Sequence, residues 1–432
     1  MRPPVCLFVL LLAAGLPALK AEDKPRPLSL KQAHETALKK HPRITVADLK
    51  SLAARQVVNE AHAAFLPNLS GNVGGVLTND PSNTRYATTG LTTSRIFDRA
   101  SSSLVLSQLI TDFGRSTHLE QSAKLKARAG EQNILATQAQ ILLQVDGAYM
   151  GALQAQALVD VAQQTVKTRK LLRDQVAVLA KNQLKSNLDA SFAEVNYQEA
   201  VLLLSRSEND LASAFATLAA LLDDRKTTSY RLTEHTASEK VSPGVSQLIG
   251  IALRDRPDLR SLRLEREGAW KFAKAEADLR LPTLGLQGVA GVLPFHDKNL
   301  TNNDFAAAGI VLNWPIFTGG LNTARRKEAE FRARAVDADL QDQETSVVRD
   351  VRIAWLNVIN AGERITITAK LLEQAKQSEN LATALYNAGT TSMVELGQAQ
   401  LSLTNAQINE ANARYEYLIR RSILDYQIGA LK

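Results

Sequence analysis

The sequence has few of the residues from which active sites and disulfide frameworks are built. Its 432 residues include one cysteine, Cys6. That residue lies at the start of the chain, in the segment read below as a secretory signal, so disulfides and a cysteine nucleophile are excluded downstream. The six histidines, His34, His41, His62, His118, His235 and His296, show no paired ligand spacing. No Gly-x-Ser-x-Gly elbow or convergent nucleophile–base set can be found. Asp112-Phe113-Gly114 has the letters of a kinase metal-binding motif, but no Gly-rich nucleotide loop or catalytic loop accompanies it, so it reads as a turn. Enzyme, metal and cofactor classes lose their support. The net charge of +7 comes from basic residues that mingle with acidic ones along helical faces, with no basic patch interleaved with aromatics. That pattern describes solvated faces and implies no nucleic-acid partner.

Long hydrophobic runs are also missing. No stretch reaches the roughly 20 apolar residues of a spanning helix. Residues 1–21 instead read as a secretory signal, with Arg2 as the positive end, Val5 to Leu16 as the apolar core, and Ala18 or Ala21 at the cleavage site. The expectation is an exported chain that no helix anchors.

What the chain does have is two copies of itself. Ala37-Leu38-Lys39-Lys40-His41-Pro42 returns 215 residues later as Ala252-Leu253-Arg254-Asp255-Arg256-Pro257. Leu66-Pro67-Asn68-Leu69 returns at the same offset as Leu281-Pro282-Thr283-Leu284. Beyond that the offset falls to 206, placing Leu106 on Leu312, Tyr149 on Trp355 and Asp189 on Glu395. The change arises between the two strand-like segments of each copy, where a loop tolerates length change. The predicted organisation is a signal at 1–21, a first repeat at 22–222, a connector at 223–241 and a second repeat at 242–432.

Each repeat has the same order of elements. A helix from Ser29 to about Ala64, opened by a Ser29/Gln32 capping box, is echoed from about Pro243 to Leu281. Charge-free segments of period two follow, at about 66–77 and 100–111, then 281–293 and 305–317. In the first of them Asn68, Ser70 and Asn72 alternate with Leu69, Gly71 and Val73. Such lengths suit either soluble hairpins or tilted outer-membrane strands. The repeated, charge-free pairs behind a signal favour the membrane. Four strands cannot close a barrel and open edges are not tolerated in lipid, so several chains must contribute. Proline-free helices then run over 116–180 and 187–222, and again over 321–387 and 392–430. The first is on the order of 100 Å long, a spacer or conduit wall rather than a globular core element. Small and apolar residues at Gly397, Leu401, Thr404, Ile408, Ala411, Tyr415 and Leu418 form a coiled-coil seam.

These elements, with Phe65-Leu66-Pro67, Arg280-Leu281-Pro282, the 106–114 and 314–320 segments and Tyr386-Asn387-Ala388-Gly389-Thr390-Thr391-Ser392-Met393-Val394-Glu395, resemble the TolC-type outer membrane efflux proteins. The likeness covers essentially all of the chain after the signal. It implies a mixed fold, a transmembrane β-barrel continued by a long α-helical barrel, with twelve strands shared by a homotrimer. It also implies a passive exit duct spanning outer membrane and periplasm, supplied by an inner-membrane pump through a periplasmic adaptor. By the same resemblance the closed entrance lies at the tip of the second helix pair. Tyr386 and Glu395 match the constriction's tyrosine and first carboxylate, and three copies of Glu395 would form a ring that attracts cations. A solvated residue at a helix start is the alternative role for Glu395. Thr391 stands where some members carry a lock-forming arginine, and Gln398 where they carry a second carboxylate, so gating is expected to use hydrogen bonds and packing. The adaptor is expected at the helix turns, Asn182-Gln183-Leu184 and Gly389-Thr390. Gln183 replaces the turn glycine, so that turn must change geometry or strain Gln183. The rival reading is a non-channel periplasmic coiled-coil adaptor or scaffold.

Overall fold

The computed structural model describes residues 26–77, 85–88, 92–95, 99–225, 229–233, 244–295 and 302–431. The signal segment, most of the 78–99 loop and parts of the connector and of the 293–304 loop lie outside the described residues.

The first copy opens with β1 (Arg26–Leu28), α1 (Leu30–Lys40) and α2 (Pro42–Ala63). A single helix was expected over 29–64, and the structure breaks it at His41. Pro42 has no N–H to continue the ladder and forces His41 into extended backbone, φ −67° and ψ 122°. The chain restarts at once because proline suits a first helical position, and His41 Nδ1 accepts the Arg43 N–H at 3.2 Å. The second copy has the same break, between α5 (Val245–Asp255) and α6 (Pro257–Ala277). Its opening helix starts at Val245 among the described residues, and the expected start at Pro243 lies outside them.

Four strands make one antiparallel sheet in the order β2 (Asn68–Val76), β5 (Arg99–Thr111), β7 (Thr283–Phe295), β8 (Asp304–Asn313). The two hairpins thus meet through β5 and β7, leaving β2 and β8 as open edges. A short β3–β4 hairpin (Arg85–Thr88, Thr92–Arg95) lies in the first loop. The expected strand over 305–317 ends at Asn313 instead, because Pro315 cannot donate to a ladder. Trp314, Ile316 and Phe317 follow as exposed apolar residues outside the sheet.

Two hairpins of long helices complete the fold. They are α3 (Arg115–Lys181) with α4 (Asn187–Leu221), and α7 (Leu321–Asn387) with α8 (Met393–Gln427). Asp112 of the Asp-Phe-Gly triplet caps α3, its carboxylate accepting the Ser116 N–H at 2.7 Å and the Gly114 N–H at 3.2 Å. The duplication is also written in the backbone. The left-handed residues Phe113, Gly114, Gln183 and Asp223 sit 206 positions before Gly319, Gly320, Gly389 and Gly429, which are left-handed too.

The main core gathers around Tyr149, where both hairpins meet the shorter helices. The connector contributes to it. β6 (Tyr230–Leu232) pairs in parallel with β1 and buries Tyr230 and Leu232. The Tyr149 hydroxyl lies 2.9 Å from the carbonyls of Leu28 and Thr233 and accepts the Thr233 N–H at 3.1 Å. Three histidines tie helices to one another through carboxylates. His34 meets Asp146 at 2.5 Å, His62 meets Glu120 at 3.0 Å, and His118 meets Asp278 at 2.8 Å.

Candidate functional site

The sheet sorts its side chains by polarity only in part. Residues paired across neighbouring strands share a face, so the register fixes both faces. One carries Leu69, Leu104, Leu106, Leu286, Ile310 and Leu312. The other is mixed, carrying Asn68, Ser70, Asn72, Ser103, Ser107, Thr283 and Gln287 together with Val105, Val289, Phe305 and Val311. Among the described residues nothing covers the apolar face: Leu69 is 64% exposed, Ile310 68% and Leu312 61%. A predominantly apolar face opposite one that carries most of the polar side chains fits the wall of an outer-membrane barrel.

At the far end of the long helices, the two turns lie side by side. They are joined by a small apolar cluster of Val176 on α3, Ala193 on α4, Tyr386 on α7, and Met393 and Leu396 on α8. Both turns have one design. Leu184 N–H donates to Leu179 O at 2.9 Å and Gln183 N–H to Ala180 O at 3.0 Å. In the second copy Thr390 N–H donates to Leu385 O at 3.0 Å and Gly389 N–H to Tyr386 O at 3.1 Å. Gln183 adopts φ 60° where Gly389 has φ 77°. Of the two expected consequences of replacing the glycine, the geometry is kept and Gln183 carries the strain. Asn182, Gln183, Leu184, Gly389 and Thr390 are all exposed.

Each turn leads into a capped helix. Ser392 Oγ accepts the Glu395 N–H at 3.3 Å while the Glu395 carboxylate accepts the Ser392 N–H at 3.2 Å. Ser186 and Asp189 repeat this box in the first copy. Glu395 therefore has a local task, capping α8, and its side chain remains exposed, as does that of Gln398 one turn on. Thr391 is half-buried. Tyr386 differs from Glu395 and Gln398, being 4% exposed inside the tip cluster. Its ring faces Lys185 Nζ, 4.1 Å from the centroid. Its hydroxyl has no hydrogen-bond partner among the described residues. Burial, reinforced by the negative charge of Asp189, pushes that hydroxyl above the ordinary tyrosine range. Lys185 and Asp189 thus join the tip constellation. Asp189 was traceable, since it stands 206 residues before Glu395, but nothing local to Lys185 announces its ring contact.

No group of three or more His, Cys, Asp or Glu that could hold a metal occurs among the described residues, and no helix there is long and apolar enough to cross a membrane. What the geometry offers is a two-faced sheet at one end and a compact, exposed-turn tip at the other. The family model for outer membrane efflux proteins matches the chain twice, over residues 33–223 and 248–430. Outer membrane protein TolC of Vibrio cholerae is 26% identical over 420 residues, covering 93% of this chain and 91% of its own. The alkaline protease secretion protein AprF of Pseudomonas aeruginosa is 24% identical over 418 residues, covering 94% and 85%. Among solved structures, the outer membrane protein VceC of Vibrio cholerae shares the fold with a TM-score of 0.80 at 20% identity, covering 93% of this chain and 96% of its own. The two matched blocks fall on the two copies read from the sequence, and the chain belongs to the outer membrane efflux protein family.

Proposed function

We propose that three copies of this protein join their four-stranded sheets, edge to edge, into one closed twelve-stranded barrel, and that their helices continue it as a periplasmic tunnel. Membership of the family makes the chain an outer-membrane exit duct of efflux or secretion systems and not an enzyme. Channels of the family work as homotrimers with periplasmic adaptors and inner-membrane pumps. The observation that carries the barrel is the pair of open edges on β2 and β8 beside an uncovered apolar face. In lipid an unpaired strand edge costs several kcal/mol per unsatisfied group, so the edges of one chain must find those of another.

In this reading the tip is the entrance. The Tyr386 cluster holds the second helix pair against the first, and Glu395 lines the opening with one carboxylate per subunit. Gln398 and Thr391 contribute neutral polar groups. The exposed turns at Asn182, Gln183, Leu184, Gly389 and Thr390 receive the adaptor, which passes cargo from the pump. Membrane fractionation with a high-pH wash, followed by native mass in detergent, tests the assembly. A trimer retained in the washed outer membrane is expected. A monomer released by the wash removes the shared barrel and returns the periplasmic scaffold.

A further inference from the structure

The interior of the helical region is divided. A large apolar core surrounds Tyr149 and a small one surrounds Tyr386, and they are separate clusters. Between them the interface of α3 with α8 passes through Thr165, Arg169, Gln400 and Thr404, all buried and all polar. A cavity of about 220 Å³, half open to solvent, lies there, its lining including these four residues, Thr168 and Glu379. A coiled-coil seam with polar side chains gives up packing energy, so the interruption calls for a physical reason.

The lining defines what the cavity accepts. Arg169 is 5% exposed, and one terminal nitrogen donates to Asn196 O at 2.8 Å and reaches Glu199 at 3.4 Å. Its Nε has no partner among the described residues, nor has the Oε1 of Gln400, which is 7% exposed. The Thr165 and Thr404 hydroxyls donate to Val161 O at 2.8 Å and Gln400 O at 3.0 Å, so they present only lone pairs. An anion there is opposed by Glu199 and Glu379, and a cation by Arg169. The fitting ligand is a neutral molecule that both accepts and donates, of which water is the smallest. The volume far exceeds the ~10–15 Å³ that one water needs.

We propose that this cavity is a hydrated hinge, where water bridges Arg169 Nε and Gln400 Oε1 and about which the tip of the second helix pair swings. A wet seam re-forms its hydrogen bonds as the helices shear, whereas a dry one loses contacts outright. Motion then has to break only the small tip cluster and leaves the core around Tyr149 intact. The hinge gives the entrance of the proposed duct a place to bend, and rests on that reading for its purpose.

Hydrogen exchange on the assembled, lipid-embedded protein tests it. Replacing the seam with apolar residues, Arg169→Met with Gln400→Leu, is expected to slow exchange at amides 385–396 by about tenfold, the gain typical of swapping buried polar groups for packed apolar ones. Unchanged or faster exchange in a folded trimer overturns the hinge. Should the double variant fail to assemble, Gln400→Met alone is expected to slow the same amides by about threefold, from a smaller share of that effect. No slowing there overturns the proposal equally. An electron-microscopy map that resolves waters is expected to show one bonded to Arg169 Nε, whereas a side chain of a neighbouring subunit filling the cavity refutes it. Exchange is read without any conductance measurement. A protein that conducts nothing therefore sinks the duct and leaves the hinge separately measured.

Discussion

The two tip turns offer a reciprocal test of the duplicated design, because one geometry is built with glycine in one copy and with glutamine in the other. Gly389 has φ +77°, and a Cβ placed there meets nothing within 4 Å. Gly389→Ala therefore introduces no clash, and its whole cost is the left-handed backbone of an L-residue, about 1 kcal/mol. That is a factor of about five in the local opening equilibrium. The reporter is the Thr390 amide, whose bond to Leu385 O closes the turn at 3.0 Å. Its hydrogen exchange should speed up about fivefold while amides deep in α7 stay as they were. The opposite substitution, Gln183→Gly, removes the same strain at φ 60°. It should slow exchange at Leu184, bonded to Leu179 O at 2.9 Å, by about the same factor. Opposite signs at matched positions are the content of the prediction. If Gly389→Ala leaves Thr390 protection unchanged, or both substitutions move it the same way, backbone strain does not govern these turns.

Four further outcomes follow from the geometry. Ile310→Arg, on the apolar face, should destabilise the assembled barrel by roughly 2–4 kcal/mol, while Ser103→Arg on the polar face should cost much less; equal losses in chemical denaturation would contradict the assignment of faces. Tyr386→Phe removes a buried hydroxyl without a partner, so thermal stability should hold or rise slightly, and a loss above about 1 kcal/mol would reveal a bond made to a neighbouring subunit. Glu395→Ala should lower cation selectivity in bilayer recordings, and unchanged selectivity would reduce Glu395 to its capping task. Burial raises the Asp258 carboxyl, but the Arg256 hydrogen bond and charge outweigh it and leave the group below its ordinary value. Its stabilising contribution is therefore present above about pH 4 and lost as pH falls through the lowered folded value. The stability gap between wild type and Asp258→Asn should accordingly be open at pH 7 and close at strongly acidic pH.

The long helices could be read from the sequence nearly to the residue. Expected over 116–180 and 321–387, they span Arg115–Lys181 and Leu321–Asn387. Sixty-seven residues without proline, bounded by left-handed turns, leave the backbone few alternatives. The sheet was legible for a related reason, since alternation over nine or more residues specifies a two-faced strand. Three things were hidden. Pro42 and Pro257 were taken into one helix each because proline at a first helical position looks the same whether a helix starts there or restarts. β1 and β6 are three residues each and pair across about two hundred positions, so no local period marks them. The burial of Tyr386 depends on Val176 and Ala193 from the other hairpin. The resemblance singles out the tyrosine, but only tertiary contact shows that it packs rather than projects.

That burial bears on how the tip opens. If the tip is the entrance, as proposed, then with Thr391 and Gln398 both uncharged its closed state depends on packing more than on an ionic lock. Met393 and Leu396 are each 1% exposed. At roughly 1.5–3 kcal/mol for each fully buried side chain, parting the hairpins costs on the order of 3–6 kcal/mol per subunit. In the proposed trimer, three subunits opening together multiply that cost. A partner can shift such an equilibrium only by its difference in affinity for the two states. Contact with a closed turn that persists unchanged in the open one therefore opens nothing. An adaptor at Leu184 or Thr390 must gain surface as the hairpins part, and the apolar side chains it would gain are those the tip cluster gives up. On this reasoning Met393→Ala, a loss of about 2–5 kcal/mol, should lower the affinity of adaptor needed for conductance. It should do so without altering any residue the adaptor touches on the closed tip. An adaptor requirement that stays the same in Met393→Ala channels would mean that the tip cluster is not what holds the entrance shut.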